Sequence, residues 1–434
     1  MLRRRVTLAG VALFFGCQSA PPRPAVFRVA PAPADSADPR PAQPHAQARS
    51  KLFAAFQRTC YLNTGGVLRC WGADLINGVI GRATRPQVVA TGVANVALGN
   101  THACAVRAGG EVSCWGWDND GALGVSTADS CDNGEGEQPC ARVPTVVSGL
   151  PRVNEVAAGP NHTCALSAAR VVYCWGSNQY GQLGRRTVDT CGERLCSRQA
   201  GAVDGVDQVT DLALGNGFSC GLRSDGVVWC WGGNDQGELG RGTVDDETHL
   251  GPQPVQLPHK VIAIESGSDH VCALTATHEV YCWGANTARQ LGSASDDLCR
   301  CSPCSGTPLR VAGLPLVREL SIVDETSCAL GQDGSLWCWG NNYMNRIGVA
   351  ADDACVYECF GHEQAVDCLA SARRVANLPA LSALANGGDH LCGIAENKVL
   401  CWGAWFEGQL GFAPRRCKPD MGACLEEPGV VEVE

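Results

Sequence analysis

Residues 220–240 read CGLRSDGVVWCWGGNDQGELG. A cysteine opens the stretch and a short glycine-bearing turn follows. A second cysteine stands directly before Trp-Gly, and a Gly-x-Leu-Gly phrase closes the unit. This order recurs seven times. The Cys-Trp-Gly triplets begin at Cys70, Cys114, Cys174, Cys230, Cys282, Cys338 and Cys401, and their opening partners are Cys60, Cys104, Cys164, Cys220, Cys272, Cys328 and Cys392. Such a period is the signature of a repeat architecture, in which each unit buries its apolar faces against its neighbours.

Within the unit, Ser224-Asp225-Gly226 reads as a three-residue hairpin loop with Gly226 in the left-handed position. That loop length sets Cys220 opposite Cys230 on adjacent antiparallel strands. Gly66, Gly110 and Gly334 stand at the same loop position, whereas Arg170 and His278 replace it in two units. In the last unit the cysteines are one residue closer, and a two-residue turn at Glu396-Asn397 still leaves Cys392 facing Cys401. Cross-strand disulfides are therefore expected in every unit, since a bridge needs Cβ atoms about 4 Å apart. Each contributes roughly 2–3 kcal/mol at most. Reduced buried pairs and zinc are the alternatives, but Cys-x9-Cys lacks the close spacing of zinc ligands. Trp229 and Trp231 point away from the face carrying Cys230, because strand side chains alternate. Both faces of the hairpin are then apolar, and radial stacking of blades gives each face a neighbour.

Residues 1–17 read as a lipoprotein-type export signal. Arg3, Arg4 and Arg5 precede an apolar run, Val6 to Phe15, that is too short to span a bilayer as a helix. Gly16-Cys17 ends it like a lipoprotein cleavage site, so Cys17 is the expected lipidation residue and the odd one of 27 cysteines. Cleavage to a soluble form and an uncleaved start are the other readings. Residues 18–50, rich in Pro and Ala, read as a disordered tether reaching roughly 90–100 Å at about 3.1 Å per residue. Residues 51–434 are the folded body.

That body reads as all-β, with frequent Gly and Pro and short β-like runs between turns. A lead-in strand such as Val93 to Leu98 or Val153 to Ala158 precedes each cysteine pair. Before that lies an extended phrase: Pro86-Gln87-Val88-Val89, Pro144-Thr145-Val146-Val147, Pro254-Val255-Gln256-Leu257 or Pro308-Leu309-Arg310-Val311. Each unit thus offers about four strands, the number in a propeller blade. The unit beginning near Leu52 has no such phrase ahead of it, and the chain ends in Pro428-Gly429-Val430-Val431-Glu432-Val433. The expectation is that this C-terminal strand pairs into the blade begun at Leu52 and closes the ring.

The phrase Cys-Trp-Gly-x-Asn-x-x-Gly-Gln-Leu-Gly at residues 174–184 resembles the repeat of the regulator of chromosome condensation family, as does Ala-x-Gly-x-x-His-x-Cys-Ala-Leu at 157–166. The resemblance covers residues 52–434 and implies a seven-bladed β-propeller. The founding members are eukaryotic exchange factors for the GTPase Ran, and secreted bacterial relatives include proteinaceous β-lactamase inhibitors. This sequence differs from the nuclear members in its export signal and its cysteine pairs.

His102, His162, His270 and His390 each lie two residues before an opening cysteine. They read as one repeated structural histidine per blade, bonded to a neighbouring backbone; a metal site is the competing reading. Arg58, Phe218 and Thr326 fill the slot in the other units, so no complete ring of ligands exists. Asp118-Asn119-Asp120-Gly121 resembles a calcium loop faintly, but it fills a slot taken elsewhere by a repeat turn and lacks the alternation and terminal Glu of an EF-hand. No phosphate-binding loop, nucleophile elbow or His-Glu-x-x-His phrase is present. No catalytic residue, metal or cofactor is assigned. Removing residues 1–17 takes away three arginines and leaves 31 basic against 44 acidic residues, a net charge of −13. That disfavours nucleic acid and anionic lipid as partners for the body. It is compatible with plain solubility or with a basic protein partner.

Units differ most in the inserts at about 125–143, 185–201, 241–253, 293–307, 349–372 and 412–427, which emerge on one face of the disc. Within them Cys131 and Cys140, Cys191 and Cys196, and Cys417 and Cys424 can each close locally. Cys299, Cys301 and Cys304, then Cys355, Cys359 and Cys368, are odd sets in neighbouring inserts, so one bridge is expected between the two. Loops pinned in this way lose less entropy on binding.

The function expected is non-catalytic, extracytoplasmic protein binding through this face, by a monomer anchored through its N-terminal lipid in a bacterial cell envelope. Its partner is a protein of the envelope or exterior. The alternatives are an exchange factor for a small GTPase, an enzymatic propeller, and a saccharide binder using Trp117, Trp405 and Phe406.

Overall fold

The structure is a computed structural model that describes residues 50–433, apart from 77–78, 128, 133–135, 296, 301, 352, 360–361, 406 and 413–425. The signal and tether readings, with Cys17, lie outside these residues, as do Cys301, Cys417, Cys424 and Phe406.

Seven antiparallel sheets follow one another along the chain. Blade four shows the common plan: Val209–Leu214 innermost, then Phe218–Arg223, Val228–Asn234 and, outermost, Asp245–Pro254. The innermost strands of successive blades neighbour one another around the axis, and the first, Lys51–Ala55, neighbours the last, Ala383–Asn386. The fold is an all-β, seven-bladed propeller.

Register follows from the hairpin loops. Cys220 pairs with Cys230 because Arg223 N–H donates to Val227 O and Gly226 N–H to Arg223 O, closing a three-residue loop with Gly226 at φ +85°. Arg170 and His278 adopt the same left-handed conformation without glycine, at φ 62° and 63°. Glu396 and Asn397 both have positive φ, the signature of a two-residue type I′ turn, and Cys392 still faces Cys401. All seven blade cysteine pairs lie at disulfide distance with Cα atoms 4.1 Å apart.

The core is divided among seven seams between adjacent blades. Each joins the disulfide face of one blade to the tryptophan face of the next. Cys164, Cys174 and Leu183 of blade three, for instance, meet Val209, Leu212 and Trp231 of blade four. The seven Trp of the Cys-Trp-Gly triplets are buried. Replacing one by Ala should cost about 3–5 kcal/mol.

Two expectations change. Each Pro-x-Val phrase is the outermost strand of the unit before it, not the lead of the unit after it. Val79–Ala90, containing Pro86 to Val89, completes blade one. The C-terminal strand Glu426–Val431 therefore completes blade seven rather than joining the blade begun at Leu52. The ring closes by side-chain packing at the seam where Leu52 and Trp71 meet Cys392, Cys401 and Val431. Second, the inserts are not irregular loops. In blades two, three, five and six they fold into hairpins that prolong the outer strand and add a fifth, such as Asp129–Asp132 against Glu137–Val146.

Candidate functional site

The repeat's histidines build joints rather than a site. His162 Nε2 lies 2.9 Å from Ser219 Oγ on the next blade, and that hydroxyl donates to Gln182 O at 2.9 Å. The hydroxyl has a single proton and gives it to the carbonyl, so the imidazole must be the donor and is the Nε2–H tautomer. Trp231 Nε1–H donates to the same carbonyl at 2.9 Å. His102 with Thr163, His270 with Ser327 and His390 with Thr59 repeat the joint, the last across the seam that closes the ring. The expected partner was a backbone group; it is a side-chain hydroxyl, with the backbone carbonyl one bond further on. Burial holds all four imidazoles neutral, with pKa values lowered to about 3. Each Nε2 is committed to a different seam, and the four rings do not converge.

A sequence signal for this joint was available. Blades following a histidine carry Thr59, Thr163, Ser219 or Ser327 before the opening cysteine. Blades following Arg58, Phe218 or Thr326 carry Ala103, Val271 or Leu391 there. The hydroxyl appears only where an imidazole donates to it.

The closing phrase is equally local in its reasons. Asn178 Oδ1 accepts from Leu183 N–H and its Nδ2 donates to Arg185 O, tying down the turn after Cys-Trp-Gly. Asp118 holds the same position in blade two and accepts from Leu123 N–H at 3.2 Å, so Asp118-Asn119-Asp120-Gly121 is a repeat turn. Burial raises the Asp118 pKa to about 6. Gly237, at φ +83°, has no room for a side chain, because a Cβ would lie 2.7 Å from Gly306 Cα in the next blade's insert. The inserts of blades three and four do the same over Gly121 and Gly181, so these inserts lean back over the preceding blade's closing turn. Arg194 reaches Asp120 at 3.5 Å and Arg300 reaches Asp235 at 3.5 Å in the same way.

These overlapping hairpins, with the turns between first and second strands, form one face of the disc. Among the described residues the insert cysteines pair as Cys131–Cys140, Cys191–Cys196, Cys299–Cys304 and Cys355–Cys368. The expected bridge between neighbouring inserts falls on Cys301, outside the described residues, and Cys359, whose side chain is not described. Trp117 packs against the Cys131–Cys140 pair and Trp405 packs into the closing seam. Neither is a free stacking platform. The face instead exposes Tyr180 and Tyr343, which the sequence reading did not single out. Between blades four and five it carries a pocket of about 300 Å³ lined by Asp235, Asp269 and Glu325, with Tyr180, Asn216 and Thr287.

The regulator of chromosome condensation (RCC1) repeat matches this chain at residues 109–166, 171–222 and 225–274, and a second form of it at 93–122, 153–182, 209–238, 261–290 and 317–346. Together these span more than half of the chain. The chain is 31% identical over 272 residues to the E3 ubiquitin-protein ligase HERC2 of Homo sapiens, which is 59% of this chain and 5% of that protein. It is 28% identical over 263 residues to the ultraviolet-B receptor UVR8 of Arabidopsis thaliana, or 59% of this chain and 55% of the receptor. To the guanine nucleotide exchange factor SRM1 of Saccharomyces cerevisiae it is 26% identical over 364 residues, 74% of this chain and 72% of that protein. The chain thus spans a small part of the first of these relatives and about half of the second. Among solved structures, yeast RCC1 (Prp20) bound to Kap60 superposes with a TM-score of 0.66 at 22% identity, covering 93% of this chain and 91% of that one. Human WBSCR16 gives 0.64 at 21%, covering 81% and 85%. At these identities the superpositions establish the fold.

Proposed function

This chain belongs to the regulator of chromosome condensation repeat family, and on that premise we propose that it is a non-catalytic protein-binding module working outside the cytoplasm. The observation that carries the proposal is the insert face, where hairpins closed by local cysteine pairs lie over one another's closing turns. Such a surface is ordered before it meets a partner, which reduces the cost of binding. The blade seams use the repeat's histidines and tryptophans for cohesion, so those residues are committed to holding the ring together. Related propellers occur in proteins whose names describe a ubiquitin ligase, a light receptor and an exchange factor. Recognition of other macromolecules suits that range better than a shared reaction does.

The export-type start, Arg3 to Cys17, and the density of paired cysteines support an oxidising compartment and an N-terminal lipid anchor. The test is affinity capture from envelope extracts, comparing the intact protein with one whose 293–307 and 349–372 inserts are shortened. The intact protein should retain a partner that the shortened one loses. Equal capture by both removes the insert face from the reading, and capture of a small GTPase would favour the exchange-factor alternative. Fractionation of cells to the cytosol would overturn the extracytoplasmic part.

A further inference from the structure

In blades three to seven the closing phrase places one residue at the same point of the seam, just before its Leu or Ile. It is Gln182, Gln290 and Gln409 in three blades, Arg346 in blade six and Glu238 in blade four. At the seam between blades six and seven, the buried Arg346 donates to Gly388 O and to Asn341 Oδ1, the latter at 2.9 Å, and lies 3.8 Å from Asp389. The charges of Asp324 and Glu325 also act on it. A guanidinium of this chain thus sits among carboxylates presented by the turns between first and second strands.

The seam between blades four and five has the same scaffold with the opposite charge. Asp269 stands where Asp389 stands, two turns back in the repeat, and Glu238 stands where Arg346 stands. Glu238 is 2% exposed and accepts from Gln236 N–H at 2.9 Å. Burial, reinforced by Asp235, raises its pKa, and the same two causes lift Asp269 to about 6. Arg300 answers Asp235 from the rim, where it also holds Asp246. Among the described residues no cation pairs with Asp269 or Glu238. The volume of about 300 Å³ suits one long side chain. No group of His, Cys, Asp and Glu among the described residues is gathered closely enough to hold a metal ion.

We propose that this pocket, between Asp235, Asp269 and Glu325, receives an arginine side chain of the protein partner, bringing to Asp269 the positive charge that Arg346 brings to Asp389 at the other seam. The proposal rests on the protein-binding reading above and names the chemistry of its anchor. Buried arginine contacts of this kind are recurrent anchors of protein interfaces.

The probe is acetyl-Gly-Arg-Gly-amide, titrated against the full folded body by nuclear magnetic resonance, with the citrulline peptide as its uncharged match. The arginine peptide should bind at least about tenfold more tightly, since the citrulline cannot supply the charge. Asp269→Asn should weaken it by a similar factor. Glu238→Arg copies the residue of blade six, so it should fold, melt higher and no longer see the peptide. Glu238→Gln copies blades three, five and seven and keeps the variants comparable in stability. Equal binding of the two peptides overturns the proposal, as does unchanged binding by Glu238→Arg, or stoichiometric Ca²⁺ binding that displaces the peptide. Partner capture that survives Glu238→Arg but is lost on shortening the inserts defeats the pocket and leaves the protein-binding reading standing. Capture indifferent to both defeats that reading as well.

Discussion

Four neutral imidazoles buried in four seams make this propeller sensitive to acid. In the unfolded chain each takes up a proton as the pH falls through about 6.5, whereas in the fold it does so only near 3. Across that window the unfolded state holds more protons, so stability falls as the pH drops from 6.5 toward 3, by up to about 1.4 kcal/mol per pH unit for each histidine. Blades four and five show how to remove one contribution, because Phe218 faces Val271 where His162 faces Ser219. The double variant His162→Phe/Ser219→Val should lose less melting temperature between pH 7 and pH 4.5 than the parent. Parallel melting curves across that range would refute the assignment. Arg170 offers a separate test, being an exposed residue held at φ 62° in a loop where most blades use glycine. A left-handed conformation costs an L-residue about 1–2 kcal/mol, partly offset by the greater freedom glycine loses on folding. Arg170→Gly should therefore raise stability by about 0.5–1 kcal/mol in urea unfolding. His278→Gly should gain less, since His278 Nδ1 also bonds Val317 O at 2.9 Å.

Hairpins carry the cysteine chemistry, and they were the most legible elements of the chain. Opposition of Cys220 and Cys230 follows from loop length alone, because a hairpin's turn fixes its register. Even the shortened last unit, with positive φ at both Glu396 and Asn397, keeps it. The Pro-x-Val phrases were harder to place. A strand joined to its neighbours by connections on both sides can end the blade before it or begin the blade after it, and local sequence does not choose. The inserts supply the physical reason: they prolong the phrase that follows them, so that phrase belongs with the closing turn it came from. The His-to-hydroxyl joint was missed because its two halves lie about 60 residues apart, as with His102 and Thr163. The acidic pocket was beyond reach, since it gathers Asp235, Asp269 and Glu325 from three successive blades. For the cysteines the structure narrows what remains. Cys299 pairs with Cys304 and Cys355 with Cys368, and the outer strand of blade five runs beside the fifth strand of blade six. The bridge expected between these inserts is thereby reduced to Cys301 with Cys359. Peptide mapping of the unreduced protein should recover that linkage; two free thiols, or either residue bound elsewhere, would exclude it.

At the scale of the whole ring, the innermost strands are sheet edges whose N–H groups need partners. Side chains on the axial face of one blade supply them to the next. Asn95 Oδ1 accepts from Val156 N–H, Asp211 Oδ2 from Ile264 N–H, Glu319 Oε1 from Leu384 N–H and Ser321 Oγ from Asn386 N–H. The same arrangement crowds carboxylates around the axis. Glu155, Asp211, Glu265 and Glu319 act on one another there, and Lys51 is the cation that acts on Glu155. Burial, then the neighbouring negative charges, raises Glu155 to about 8 and Glu265 well above its ordinary value. The Glu265 side chain is exposed, so solvent tempers the shift its neighbours impose. Between about pH 4.5 and pH 8 the folded state therefore holds protons that the unfolded chain has released. Stability from these groups is present at the acid end of that window and is lost as the pH rises through it. This opposes the histidine contribution, so the ring should be most stable where the two windows overlap, at about pH 4.5–6.5. Glu265→Gln keeps the shape of the side chain and removes its charge. It should raise the melting temperature at pH 8 and leave it nearly unchanged at pH 4, where both states carry the proton. A fall at pH 8, or the same change at both values, would show that the axial carboxylates do not repel one another as the geometry requires.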